Sequence, residues 1–354
     1  MRPCYLTLLI ASCLATPAAA ADPFAFFHGS GASAQSVKPC SFESLSTTRP
    51  EVAEGGTQVQ IGVRVLDLIE IDDVKQAMTL DFVLFARWQD GALARQLAGQ
   101  RSCQLALHSV WHPGLKVVGE RALDPKLEES VVVASDGSVT YMQRFIGSLR
   151  ATANLRSFPT DSRTLAVRIV VPGYGPQEVQ FVPDPVHTGF EPDPSVTNWV
   201  FGQETSNTEP YFVESLGARA SFSFSIEAHR RAGVYVWRLG IPILLIVLMS
   251  WLPFWIPPTE VGARNSLASL AMLNMIAFQL VLRSMLPPVP YMTRADSIAT
   301  AALIMIFLAL VESTATGVLE LRGNSQWAGT INLISRVAFP VVALALVSVS
   351  LLSF

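Results

Sequence analysis

The sequence predicts an extracellular all-β sandwich followed by an α-helical bundle of four transmembrane helices. Three observations point there. The first twenty residues, MRPCYLTLLIASCLATPAAA, have the build of a secretory signal. From about residue 56 to 232, apolar and polar residues alternate in short runs broken by Gly, Pro, Asp and Asn. From 233 to 354, four apolar stretches follow, each long enough to cross ~30 Å of hydrocarbon.

In the signal, Arg2 supplies the charge, Tyr5 to Leu14 the apolar core and residues 18–20 a small-residue cleavage site. The mature chain is expected to start near Ala21, with 21–55 an N-terminal segment that has no strong pattern. Cys4 and Cys13 leave with the signal; Cys40 and Cys103 remain, either as a disulfide or as two small buried residues. Composition bounds the function. Hydrophobic residues make up 50% and charged ones 15% of 354, with a formal net charge of -3 and no long basic run, so nucleic-acid binding has no electrostatic basis.

In the first half, the runs at 59–71, 80–88, 105–111, 138–150, 163–171 and 221–229 show period two and β-branched residues, which argue strands. In the second half the spans are 234–256, 262–284, 297–319 and 331–354, with short joints that favour an antiparallel bundle. A cleaved signal puts the β domain on the periplasmic or extracellular side of a plasma membrane. Four spans then return the C-terminus to that side. The distribution of Lys and Arg among the loops does not orient the chain.

The second span, ARNSLASLAMLNMIAFQLVLRS, carries polar groups that lipid does not reward. Ser266, Leu270, Leu273, Ala277, Leu280 and Ser284 are spaced 4, 3, 4, 3, 4, which is 18 residues in five helical turns. This face runs from serine through leucine to serine. It suits a narrow aqueous path closed by a dewetted leucine constriction; a buried bundle helix with hydrogen-bonding serines is the alternative. Leu273 is the expected gate and Leu270 a second constriction. One bundle has no room for such a path, so several chains must surround an axis.

Other candidates lie where the two halves meet. The joint SMLPPVPYMTRAD is stiffened by Pro287, Pro288 and Pro290 and followed by Tyr291. Acids stand in IEIDDVKQ (Asp72, Asp73) and in NLRSFPTDSRTL (Asp161), and the approach to the first span carries Arg230 and Arg231. An ion-pair cluster joining Arg230 to Asp161 and to Asp72 or Asp73 is expected. His108 and His112, read as one strand, would be about 13 Å apart, too far to share a metal. No catalytic constellation, phosphate loop or zinc spacing is present in the sequence, so neither an enzyme nor a cofactor is expected. Glu312, inside the third span, is a functional candidate by its position alone.

With EIDDV, SVWHPGL, FPTD, IPILLIVLMSWLPFW, LPPVPYMT and SRVAFP in this order, the chain resembles a prokaryotic pentameric ligand-gated ion channel of the Cys-loop receptor family. The resemblance implies a homopentamer in the lipid bilayer, gated by a small-molecule agonist or protons and passing monovalent ions. The second span would line the pore, with Asn274 and Gln279 meeting neighbouring helices. Asp72, Asp73, Asp161, Arg230, Pro287, Pro290 and Tyr291 would couple binding to gating. Agonist would bind between subunits, with Phe85, Tyr174, Trp199 and Tyr211 the candidate contacts. The loop from Ala151 to Leu165 carries no cysteine, unlike that of animal members. For selectivity the candidates are Glu260, Arg264 and Arg283; Ala263 before Arg264, with Arg283 at the outer mouth, leans toward anions, while Glu260 opposes. A non-conducting membrane sensor is the alternative function.

Overall fold

The computed structural model describes residues 47–50, 55–97 and 102–352. The signal segment and Cys40 lie outside them; Cys103 is buried at the start of a strand. In chain order the strands are β1 (Thr57–Asp72), β2 (Ala77–Gln89), β3 (Cys103–Ala106), β4 (Lys116–Val117), β5 (Glu120–Pro125), β6 (Ser130–Val133), β7 (Ser138–Arg150), β8 (Ser162–Val170), β9 (Val179–Pro183), β10 (Gly189–Phe190), β11 (Trp199–Asn207), β12 (Tyr211–Val213), β13 (Gly217–Arg219) and β14 (Ser221–Arg230). A short helix α1 (Gly91–Gln96) follows β2, its free N–H groups capped by the carboxylate of Asp90. Four long helices end the chain: α2 (Ala232–Trp251), extended by a 3-10 turn over Leu252–Trp255, α3 (Val261–Ser284), α4 (Arg294–Leu321) and α5 (Ser325–Leu352).

Two sheets pack face to face. The larger runs β10-β1-β2-β7-β6-β3, with β5 on β7 and β9 on β1; the smaller runs β11-β14-β8-β4. The alternation read from sequence sets which side of each strand is buried. On β1, Val59, Ile61, Val63 and Val65 enter the core; on β8, Leu165, Val167 and Ile169 do; on β14, Phe222, Phe224, Ile226 and Ala228 do. Each buried Val, Leu, Ile or Phe among them contributes roughly 1.5–3 kcal/mol.

Two expectations need correction. The run 105–111 is not one strand: β3 stops at Ala106 and a 3-10 turn covers Leu107–Ser109. The chain turns there so that Val110 and Trp111 can both reach the core, and Gly114 takes a left-handed φ of 72° just beyond. His108 and His112 therefore sit on a turn and a loop, not on one strand. The fourth helix begins at Ser325 rather than 331. Gly323, at φ 80°, ends α4 and allows the chain to reverse within three residues.

All four long helices are long and apolar enough to cross a membrane. They pack through small residues, as helices in lipid do: Ala271 of α3 shares a buried cluster with Ala299 and Ala302 of α4, and Ala309 of α4 packs with Phe254 and Phe339. At the foot of α3 the fit is close. A Cβ on Gly317 would stand 2.8 Å from Cγ1 of Val261. Thr293 and Asp296 form a capping box that starts α4.

Candidate functional site

At the junction of the two domains, Arg230 ends β14 two residues before α2 begins. Its position is in phase with Ala228 and Ile226, so the guanidinium points inward and is 1% exposed. Nε donates to Oδ1 of Asp161 at 2.7 Å, Nη2 to Oδ2 of Asp161 at 3.1 Å and to Oδ1 of Asp73 at 3.0 Å, and Nη1 to the Tyr235 hydroxyl at 3.3 Å. Arg163, in phase with Leu165 on β8, donates to both Asp161 and Asp73 at 2.8 Å. The Trp199 ring lies 4.3 Å from the Arg230 guanidinium carbon and 4.6 Å from that of Arg163. Burial alone would raise Asp161; the hydrogen bonds from Arg230 and Arg163 overcome that and hold it below the usual carboxylate value. Burial likewise opposes the Arg230 charge, but its bonds to Asp161 and Asp73 hold its pKa above the ordinary value.

Of the two aspartates open in sequence, Asp73 joins this cluster. Asp72 pairs with Lys75 within its own turn instead. Trp199, an agonist candidate in the sequence, forms a wall of the ion cluster. Arg163 was missed, although a charged residue in the inward phase of a strand was its signal.

The loop at 151–161 carries Asp161 and rests on the joint after α3. The Leu155 N–H donates to the Tyr291 hydroxyl at 3.1 Å and the Arg294 N–H to the carbonyl of Arg156 at 2.8 Å. Leu155 and Phe158 are buried in the same apolar cluster as Leu282 and Leu286. Pro287 is buried at this contact and Pro290 is exposed. The β domain thus touches the end of α3 through packed side chains and hydrogen bonds.

On α3, all six residues of the stripe are exposed in the single chain, Leu273 and Leu280 each at 63%. The opposite face, with Arg264, Ala268, Ala271, Met275 and Leu282, is buried. Off the stripe, Gln279 donates to the carbonyl of Ala299 at 3.3 Å, and the Asn274 amide lies 4.0 Å from the sulfur of Met249. Arg264 needs correction as a ring residue. It is 0% exposed and turned into the bundle, donating to Thr316 at 2.9 Å, Asn332 at 2.9 Å and Glu312 at 3.2 Å. Two residues from Ser266 on a helix is about 200°, the far side from the stripe. Glu312 has its partner here. Glu260 and Arg283 remain exposed at the two ends of α3.

The aromatic candidates divide between the sheets. Tyr174 accepts a hydrogen bond from Trp111 Nε1 at 3.0 Å, and its carbonyl accepts from the Ala220 N–H at 3.4 Å, beside the β12–β13 hairpin that carries Tyr211. The Arg168 guanidinium lies 5.3 Å from the Tyr211 ring. Phe85 is on the other sheet, stacked flat on His187 at 3.7 Å.

This order of parts, a β-sandwich joined by an ion cluster to four long apolar helices, has counterparts among known proteins. The model of the neurotransmitter-gated ion-channel ligand binding domain matches residues 45–221, and that of the transmembrane region matches 239–345. The chain belongs to the neurotransmitter-gated ion-channel family. It is similar to a proton-gated ion channel of Gloeobacter violaceus, at 26% identity over 85% of this chain and 84% of the relative. It is also similar to gamma-aminobutyric acid receptor subunits. The match is 28% identical over 74% of this chain for a beta-like subunit of Drosophila melanogaster and 26% over 75% for a beta subunit of Caenorhabditis elegans. The channel spans 56% and 50% of those animal subunits. It is a multi-pass membrane protein with an extracellular ligand-binding domain, and its family conducts ions and is not a family of enzymes.

Proposed function

We propose that five identical copies surround an axis with α3 of each facing it, forming a pore gated by a small molecule or by protons at the extracellular domain. The observation that carries this is the division of α3: its Ser-Leu-Leu-Ala-Leu-Ser stripe is left exposed while the reverse face is packed. Leucines that meet across an axis would keep a closed pore dry, with Leu273 the gate and Leu270 a second constriction. Agonist would sit between copies, Tyr174 and Tyr211 from one and Phe85 from the next. A quaternary ammonium agonist is disfavoured, because these aromatics are few and two are already engaged by Trp111 and His187.

Coupling would run from Asp73 and Asp161 through Arg230 to α2, and from the 151–161 loop through Tyr291 to the outer end of α3. Selectivity follows from which charges can face the path. The anion preference expected from the sequence rested on Ala263 before Arg264 and on Arg283 at the outer mouth; of these charges Arg264 is withdrawn into the bundle and Arg283 stays exposed. Glu260 is then the exposed charge at the inner end of α3, and the pore would favour monovalent cations. The purified channel in a planar bilayer, challenged with acid and with candidate agonists, should carry current. Under a salt gradient its reversal potential should follow the cation, and Glu260→Gln should weaken that preference. Absence of current under every condition would favour the non-conducting sensor.

A further inference from the structure

One arginine at the foot of α3 has two acids within reach. Arg264 is the fourth residue of the helix, and Glu260, its N-cap, stands about one turn below, about 6 Å along the axis. An acid one turn N-terminal to a base is the favourable arrangement for an ion pair along a helix. Glu312 lies on α4, inside the bundle. The structure pairs the arginine with Glu312: Nη2 donates to Oε2 at 3.2 Å, and Arg264 is fully buried. Glu260 meets Arg264 only through the backbone, its carbonyl accepting from the Arg264 N–H at 3.2 Å. Glu260 is exposed, and no ion pair holds its carboxylate among the described residues.

A single charged contact keeps Arg264 inside. Its other bonds go to the neutral oxygens of Thr316 and Asn332, both at 2.9 Å. Arg264 Nε and Glu312 Oε1 are buried without a partner among the described residues. Arg336 of α5 is engaged elsewhere: its Nε donates to the Phe254 carbonyl at 2.8 Å, and its guanidinium lies over the Trp255 ring. A buried arginine that loses its only counter-charge is strongly destabilised where it stands. Its long apolar stem lets the charged head leave for water while the backbone stays in place. The nearest way out is the inner end of α3, where Glu260 waits.

We propose that Glu312 is a selectivity-determining residue that acts through Arg264. It draws the arginine into the bundle and so leaves Glu260 unpaired at the inner mouth. Without the Glu312 charge the guanidinium drops one turn, pairs with Glu260 and cancels its charge, once in every chain. Glu312 is thus a positioning residue, and Glu260 is the group that ions meet. The inference rests on the reading of α3 as the pore helix with Glu260 at its inner end.

Two measurements on the full-length channel test it. The first needs no current. Gly262→Cys puts a thiol in the exposed first turn of α3. Its rates of reaction with a cationic and an anionic methanethiosulfonate of similar size are followed by mass spectrometry, with the channel in nanodiscs. Glu312→Gln should lower the cation-to-anion rate ratio about threefold or more. Glu312→Leu, which cannot accept from Arg264 at all, should lower it at least as far. Adding Arg264→Gln to either should restore the ratio. A ratio unchanged in the Glu312 variants that assemble, or one that Arg264→Gln does not restore, would overturn the proposal.

The second measurement is the reversal potential in a planar bilayer under a potassium chloride gradient. Glu312→Gln should move it away from the potassium equilibrium potential, and the double variant with Arg264→Gln should bring it back. If Glu260→Gln shifts the reversal potential and Glu312→Gln does not, the proposal is wrong. If neither shifts it while the thiol ratio changes, the reading of Glu260 as the selectivity residue is what fails.

Discussion

Two buried arginines, Arg230 at the domain junction and Arg264 at the foot of α3, solve the same problem differently. Arg230 meets two carboxylates and a phenol, is backed by Trp199, and draws its partners from the β1–β2 turn, the 151–161 loop and α2. Arg264 meets one carboxylate, at 3.2 Å, and otherwise the neutral groups of Thr316 and Asn332, all on neighbouring helices. Its Nε and the Oε1 of Glu312 have no partner among the described residues. The first cluster is built from segments of both domains, so its geometry depends on how they are seated. The second staples α3, α4 and α5 inside one bundle. On the proposed reading the junction cluster serves transmission and the inner one fixes which face of α3 is free.

Breaking the junction should have the larger effect. Arg230→Ala leaves Asp161 buried with only Arg163, and such a loss costs roughly 3–5 kcal/mol. A strong fall in thermal stability or assembly is expected, seen by melting and size-exclusion chromatography of the detergent-solubilised protein. Arg230→Lys should rescue little, since an ammonium cannot bond Asp161 and Asp73 in the forked geometry. Pairing Arg230→Ala with Asp161→Ala should give a loss clearly smaller than the sum of the two; additive losses would mean the two side chains act separately.

The pore face comes next. In the proposed pentamer Leu273→Ser would put a hydroxyl into the dry constriction in five copies, and it should raise spontaneous opening or lower the agonist or proton concentration for half-activation about tenfold or more. An unchanged dose–response in a well-expressed variant would remove Leu273 from the gate.

The inner staple is expected to be weaker. Asn332→Leu removes one acceptor of Arg264 and the donor to the Phe254 carbonyl, and should cost about 1–3 kcal/mol, read as a modest drop in melting temperature. Arg264→Gln should leave the reversal potential where it is, because the guanidinium does not face the axis. A shift toward cations in that variant would mean Arg264 reaches the path.

The smallest expected effect is a flat one. The pKa of Asp161 is lowered by folding, so its stabilisation is full above the unfolded value of about 3.9. It is lost only as pH falls through the lowered, folded value. The stability gap between wild type and Asp161→Asn should therefore stay constant from pH 5 to 8 and shrink below about pH 4. A gap that closes between pH 5 and 7 would make this pair titrate in the range where proton gating would operate.

Much of this was legible in the sequence, for reasons the structure makes plain. Period-two alternation fixed β7 to the residue, and a five-turn stripe in α3 marked the face that packing leaves open. Arg230 and Asp161 could be paired because opposite charges flanked the two ends of a domain junction. What was not legible was side-chain destination. Whether Asp72 or Asp73 turns inward depends on the tight turn in which Lys75 captures Asp72. Trp199 is an unremarkable strand aromatic until two arginines stack on it. Arg264 sits in a polar-looking helix start, and only the approach of Asn332 and Thr316 from two other helices reveals that it is buried. The start of α5 was misplaced because Ser325 to Thr330 is too polar to look like a span, yet a helix can begin in water.

The direct test of the central claim is cysteine accessibility along α3 in the conducting channel, residue by residue from 261 to 284. A water-soluble thiol reagent applied in the open state should change the current at positions 266, 270, 273, 277, 280 and 284. It should leave the current unchanged at Ala268, Ala271 and Met275. Reaction with the helical period but centred on Ala271 would place the wrong face on the axis. Reaction with no helical period would contradict a pore lined by this helix.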